Sequence, residues 1–121
     1  MKFVMKEELG ITTVFLQEKN IDLFCARKFK KLWENLLGRG KKHIILDLAE
    51  VDFIDSHSLG ILMSKLPHIR KEGGDIKIAT PNEHVQRVFT LIRLGELFEI
   101  YSDAREARMA FTKKATKAQP K

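Results

Sequence analysis

The chain has 121 residues, 44% hydrophobic and 31% charged, a globular balance that argues against disorder or a fibrous repeat and predicts one domain with its own core. A single cysteine, Cys25, excludes an intrachain disulfide framework and fits a reducing, cytoplasmic setting. No run approaches the ~20 apolar residues of a membrane span, so no membrane insertion is expected, and Met1-Lys2-Phe3-Val4-Met5-Lys6 meets a charge too soon for a signal peptide.

Residues 2–8 and 11–17 are two apolar-rich runs around Leu9-Gly10, and the β-branched and aromatic Ile11-Thr12-Thr13-Val14-Phe15-Leu16 suits a strand. A hairpin at a sheet edge is expected, turning at Gly10. Residues 23–37 read as a helix on the stripe Cys25, Phe29, Leu32, Leu36, with Asp22 placed to cap it and Gly38 and Gly40 to end it. Ile44-Ile45-Leu46-Asp47-Leu48 is too short for a helix and does not alternate, as expected of a strand buried on both faces.

A second helix is predicted over 57–72 from Leu59, Leu62, Met63, Leu66 and Ile69, kinked or loosened at Pro67. Gly73-Gly74 then break the chain, and Asp75-Ile76-Lys77-Ile78-Ala79 alternates as a strand should. Thr80-Pro81-Asn82-Glu83 predicts a helix start with Thr80 as cap and Pro81 in the first turn, followed by the stripe Val85, Val88, Phe89, Ile92. Leu97–Tyr101 is a last short strand, and Ser102 or Asp103 opens a helix through Phe111. The order β-β-α-β-α-β-α-β-α predicts an α/β domain with a mainly parallel small sheet, an antiparallel edge strand or hairpin and about four helices.

The domain is expected to span 1–111. Residues 112–121 carry Lys113, Lys114, Lys117 and Lys121 and no acid, four of the six excess positive charges, and read as a flexible, solvated basic tail. Anchoring to nucleic acid through that tail is the functional alternative; direct nucleic-acid binding is not expected.

Chemistry concentrates in Asp55-Ser56-His57-Ser58-Leu59-Gly60, between a buried run and a helix start. Asp55, Ser56 and Ser58 are capping residue types. Hydroxyls beside a helix N-terminus can also accept an anion, and a phosphoryl group there would change the surface by about −1.5 to −2 charges. Both readings stand on the residues alone. Asp22, Asp47, Asp52 and Asp55 fall near strand ends, where an α/β sheet places its sites, although turn and cap chemistry also accounts for them. His43, His57, His68 and His84 share no ligand spacing, so no metal is expected. There is no phosphate-binding glycine loop and no nucleophile elbow, so neither a cofactor nor a catalytic residue is expected.

Three segments carry a family resemblance: Ile45 to Ser56 followed by Leu59-Gly60; Ile69 to Ala79; and Val85 to Phe89 leading to Leu94-Gly95-Glu96-Leu97-Phe98. Over roughly residues 3–111 the chain resembles a STAS domain, in the branch of bacterial anti-sigma factor antagonists. The resemblance implies a binding module, not an enzyme. Its partner would be an anti-sigma factor serine kinase, whose capture frees a sigma factor and so regulates transcription. It also implies a monomer in isolation.

In that branch the motif reads Asp-Ser-Ser/Thr-Gly-Leu-Gly, and its second hydroxyl is phosphorylated. Asp55 and Ser56 match the first two positions, His57 stands at the acceptor, Ser58 replaces a glycine, and Leu59 and Gly60 match. Asp22 falls on the acid before the first helix. The implied partner contacts are Asp22, Asp55, Ser56, His57, Ser58 and Leu59. The implied phosphorylation candidates are Ser58, slightly ahead, and Ser56. Because His57 cannot accept as a hydroxyl, two alternatives accompany this reading. One is a docking subunit of a membrane transport complex; the other is a non-phosphorylatable scaffold.

Overall fold

The computed structural model describes residues 1–80, 82–91 and 97–118, with side chains through Thr112. The expectations placed on Pro81, Ile92, Leu94-Gly95-Glu96 and the lysines of the C-terminal segment lie outside the described residues or side chains. The elements are β1 (Phe3–Glu8), β2 (Ile11–Leu16), β3 (Asn20–Ile21), α1 (Ala26–Gly38), β4 (His43–Asp47), β5 (Phe53–Ile54), α2 (Ser56–Lys71), β6 (Asp75–Ala79), α3 (Glu83–Leu91), β7 (Glu99–Tyr101) and α4 (Ala104–Ala118).

Five strands form one sheet in the order β1-β2-β4-β6-β7, antiparallel only at β1 and parallel elsewhere, as the alternation of elements requires. The β1–β2 hairpin turns at Leu9 and Gly10, both with positive φ (52° and 78°), which matches a two-residue turn to the twist of its strands. Alternation within the strands sorts side chains onto two faces. Val14, Leu16, Ile44, Leu46, Ile76 and Ile78 meet Phe29, Trp33 and Leu36 of α1, Leu59, Leu62 and Ile69 of α2, and Val85 and Phe89 of α3 in the main core. On the other face Ile11, Ile45 and Ala79 pack against Ala107 of α4, with Tyr101 and Phe111 alongside.

Several local expectations are revised. Cys25 is not within the helical stripe: it sits at the N-cap position of α1 in a non-helical conformation and gives no side-chain cap. Its half-buried thiol lies 3.4 Å from the Asp22 carbonyl, and burial pushes its pKa up, which leaves it a packing residue rather than a nucleophile. Asp22 does not cap α1 either; its Oδ1 accepts the Phe24 N–H at 3.0 Å, a local turn. The cap of α3 is Asn82, whose Oδ1 accepts from the amides of His84 (2.8 Å) and Val85 (3.1 Å), while Thr80 supports Asn82 through its hydroxyl. Helix α2 includes Pro67 in its interior, so the kink or loosening expected there does not end the helix. Helix α4 runs to Ala118, seven residues beyond the expected domain end at Phe111 and into the segment read as flexible tail.

Gly74 does more than interrupt the chain. A Cβ there would collide with the Lys42 backbone, because the Lys42 carbonyl accepts the neighbouring Asp75 N–H at 2.8 Å where β4 and β6 begin side by side. Only glycine permits that approach.

Candidate functional site

Two-residue strands β3 and β5 pair in parallel, Asn20 with Phe53 and Ile21 with Ile54. The clip is tightened by the Lys19 carbonyl, which accepts from Asp52 (2.8 Å) and Phe53 (3.1 Å), and by the Ile21 carbonyl, which accepts from Asp55 at 3.0 Å. It joins the segment after β2 to the segment after β4, beyond the carboxyl ends of the parallel strands, where α/β folds build their sites. The Asn82 amide reaches the same place, donating to Asp52 at 3.3 Å.

The clip sets the start of α2. Asp55 is its N-cap, extended in backbone, with Oδ1 accepting the Ser58 N–H at 2.8 Å. The first three helical residues then follow the helical rotation. Ser56 and His57 are exposed, and Ser58 is fully buried. Ser58 lies four residues before Leu62 on the inward stripe, and its Oγ has no hydrogen-bond partner among the described residues. Leu59, next on the stripe, is 1% exposed.

Of the expected contact residues, Asp22, Asp55, Ser56, His57 and Ser58 therefore gather at one end of the fold. Ser56 and His57 present their side chains. Asp22 and Asp55 shape turns. Ser58 and Leu59 belong to the core, because a helix turned inward at its third and fourth residues cannot show them to a partner.

Residues not singled out complete the surface. The Asx turn at Asp22 lifts Leu23 and Phe24 into solvent, Phe24 at 98% exposure, and Phe53 is also exposed. Between α1 and α2 runs a groove of 760 Å³ in which Leu23, Ser56 and His57 meet Arg27, Lys30 and Lys65. Among the described residues, no carboxylate lines it. One signal was available in advance: Arg27 and Lys30, one helical turn apart and shortly after an apolar Leu23-Phe24 pair.

The four aspartates do not assemble. Among the described residues no group of His, Cys, Asp or Glu could hold a metal ion. Asp47 lies toward α4, half-buried, with its Oδ1 accepting the Ala49 N–H at 3.0 Å; burial holds its carboxyl above the usual range. Also among the described residues, no helix is long and apolar enough to cross a membrane.

Comparison with known proteins places this geometry. A relative from Thermotoga maritima, provisionally named an anti-sigma factor antagonist, is 35% identical over 95 residues, covering 78% of this chain and 84% of its own. The crystal structure of a Thermotoga maritima protein with the same provisional name is 33% identical, with a TM-score of 0.78 over 89% of this chain and 92% of that one. The Bacillus cell fate determinant SpoIIAA, solved in its phosphorylated form, shares the fold at 16% identity, with a TM-score of 0.68 over 91% of this chain and 99% of that one. The STAS domain family profile matches residues 2–107. With this sheet order, this helix arrangement and that match, the chain belongs to the STAS domain family.

Proposed function

We propose that the protein is an anti-sigma factor antagonist: a non-enzymatic, cytoplasmic module of residues 1–111 that captures an anti-sigma factor serine kinase and so frees a sigma factor. The observation that carries this reading is the exposed pair Ser56-His57 opening α2 beside exposed Leu23, along a groove whose charged side chains are the cations Arg27, Lys30 and Lys65. Exposed apolar side chains, Leu23 and the neighbouring Phe24, next to polar and charged ones suit a protein-binding surface. The cations suit a partner whose opposing surface is acidic. The names of the relatives support the same partner class.

Switching belongs to Ser56 rather than Ser58. A kinase must reach its acceptor, and Ser58 is fully buried while Ser56 is exposed. A phosphoryl group on Ser56 would sit in the first turn of α2, where free amides and the helix dipole favour an anion. Its charge of about −1.5 to −2 would offset the groove cations and repel an acidic partner.

The test is affinity purification of the tagged chain from its native cell, with mass spectrometry of partners and of the peptide spanning Ser56 to Ser58. An anti-sigma kinase as partner, phosphate on Ser56, and a loss of affinity of tenfold or more in Ser56→Asp are expected. Recovery of a transporter ATPase with an unmodified peptide would replace this reading with the docking-subunit one, for which His57 at the acceptor position speaks.

A further inference from the structure

At the far edge of the sheet, β1 pairs with β2 on one side alone among the described residues. In a two-residue hairpin Glu8 and Ile11 form a hydrogen-bonded pair, so Lys6 and Val4 are bonded across to β2 as well; the Gln17 N–H donating to the Lys2 carbonyl at 2.9 Å continues that parity. Phe3, Met5 and Glu7 therefore aim their N–H and C=O groups away from β2, toward the open side of the edge strand. Native edges are usually blunted by charge, proline or a bulge. This one is charged only at its hairpin end, and six register pairs run without interruption. Phe3, Val4 and Met5 are exposed in succession, at 39%, 50% and 37%.

The side chains of Phe3 and Met5 form the floor of a 430 Å³ groove against α1, whose other wall carries Lys28, Lys31 and Arg39. Glu7, the acid on this face, is already engaged by Lys41. We propose that this edge accepts an extended segment of a partner protein in which acidic and apolar residues alternate, added antiparallel to β1. Main-chain bonds to Phe3, Met5 and Glu7 would hold it. Its acidic side chains would lie on the α1 face, their stems over Phe3 and Met5 and their carboxylates beneath Lys28, Lys31 and Arg39; its apolar side chains would lie beside Val4 on the other face. A second copy of this chain is the poorer occupant. Edge-to-edge pairing about a two-fold axis would bring two sets of Lys28, Lys31 and Arg39 face to face, in a protein already carrying a net charge of +6. The edge lies away from the start of α2, so this surface does not depend on the function proposed above.

The test uses a fluorescein-labelled octapeptide of alternating glutamate and valine, titrated by anisotropy against the full chain. Binding is expected, with a tenfold or greater loss in Lys28→Glu/Lys31→Glu and no binding of the lysine–valine counterpart. Met5→Pro removes an N–H that β2 does not use, so the hairpin is kept and the peptide lost. Should that variant fail to fold, the unaltered protein answers the same question with N-methylated peptides. Methylation of the glutamates, whose amides face β1, abolishes binding, whereas methylation of the valines is tolerated. Equal tolerance of both would show attraction by charge alone and overturn the proposal. So would absence of peptide binding together with a concentration-dependent dimer, which would give the edge to a second copy.

Discussion

At the scale of single residues, burial separates groups that look alike in the sequence. Ser56 and Ser58 are both hydroxyls in the first turn of α2, yet Ser58 is closed off with an unpartnered Oγ. A buried hydroxyl without a hydrogen bond is a desolvated polar group with nothing in return. Ser58→Ala keeps the amide that Asp55 caps, and is expected to leave stability unchanged or raise it by about 1 kcal/mol in urea titrations. Ser58→Asp would bury a carboxylate and destabilise the fold, so it cannot serve as a phosphate mimic. Asp47 tests a buried charge. Its carboxyl is held above the usual value near 3.8, first by desolvation. An acid that binds its proton more tightly when folded subtracts stability as pH rises from its unfolded toward its folded pKa, and the deficit persists at neutral pH. Asp47→Asn retains the acceptor for Ala49 N–H. It should therefore match or exceed the parent at pH 7 and flatten the fall in unfolding free energy as pH rises above the ordinary aspartate value.

At the scale of elements, α2 and β6 carry the costs of the design. Helix α2 holds Pro67 in its interior, on the exposed side, without the amide that would bond to Met63. Pro67→Ala restores that bond and is expected to stabilise by roughly 1–2 kcal/mol, less than the full helix-interior penalty because alanine also frees the unfolded chain; thermal melts would show it, and a lowered melting temperature would mean the proline is needed where it stands. On β6, Lys77 is fully buried. Its Nζ meets Glu99 at 2.6 Å and Asp75 at 3.4 Å and lies 4.6 Å from the centre of the Phe111 ring, while Tyr101 donates to Glu99 at 2.6 Å. The alternation of residues 75–79 is a correct strand signature, and it implies that Lys77 shares a face with Asp75. Whether that face is wet is a different question, answered by α4 lying across it.

At the scale of the whole molecule, the two proposed surfaces lie at different places around the sheet. The clip of β3 and β5 assembles the start of α2 and its basic groove beyond the carboxyl ends of the strands, and the open side of β1 lies at the edge farthest from β7. Helix α4 covers the second sheet face, with Phe111 against His43 at 5.5 Å and over Lys77. The domain is accordingly expected to need Phe111 but not the residues after it. A chain ending at Thr112 should keep its melting temperature and its partner binding at moderate salt, whereas one ending at Ala110 should lose stability as Lys77 and His43 are uncovered. Loss of partner binding on truncation at Thr112 alone would assign the basic segment a role in capture.

The order of strands and helices, the edge hairpin, the mainly parallel sheet and the STAS resemblance were all legible in the linear sequence. They depend on spacing along the chain, on turn residues such as Gly10 and on hydrophobic stripes of period two or 3.6, all local properties. The inward turn of Ser58 was legible too, four residues ahead of Leu62, though capping chemistry at Asp55-Ser56-His57-Ser58 competed for the same residues. The β3–β5 clip was not: two residues are too few to show a period, and the pairing joins positions more than thirty apart in the chain. The burial of Lys77 and the groove that α1 forms beside Phe3 and Met5 were equally invisible. Periodicity says which residues share a face, but only the packing of distant segments decides which face water reaches.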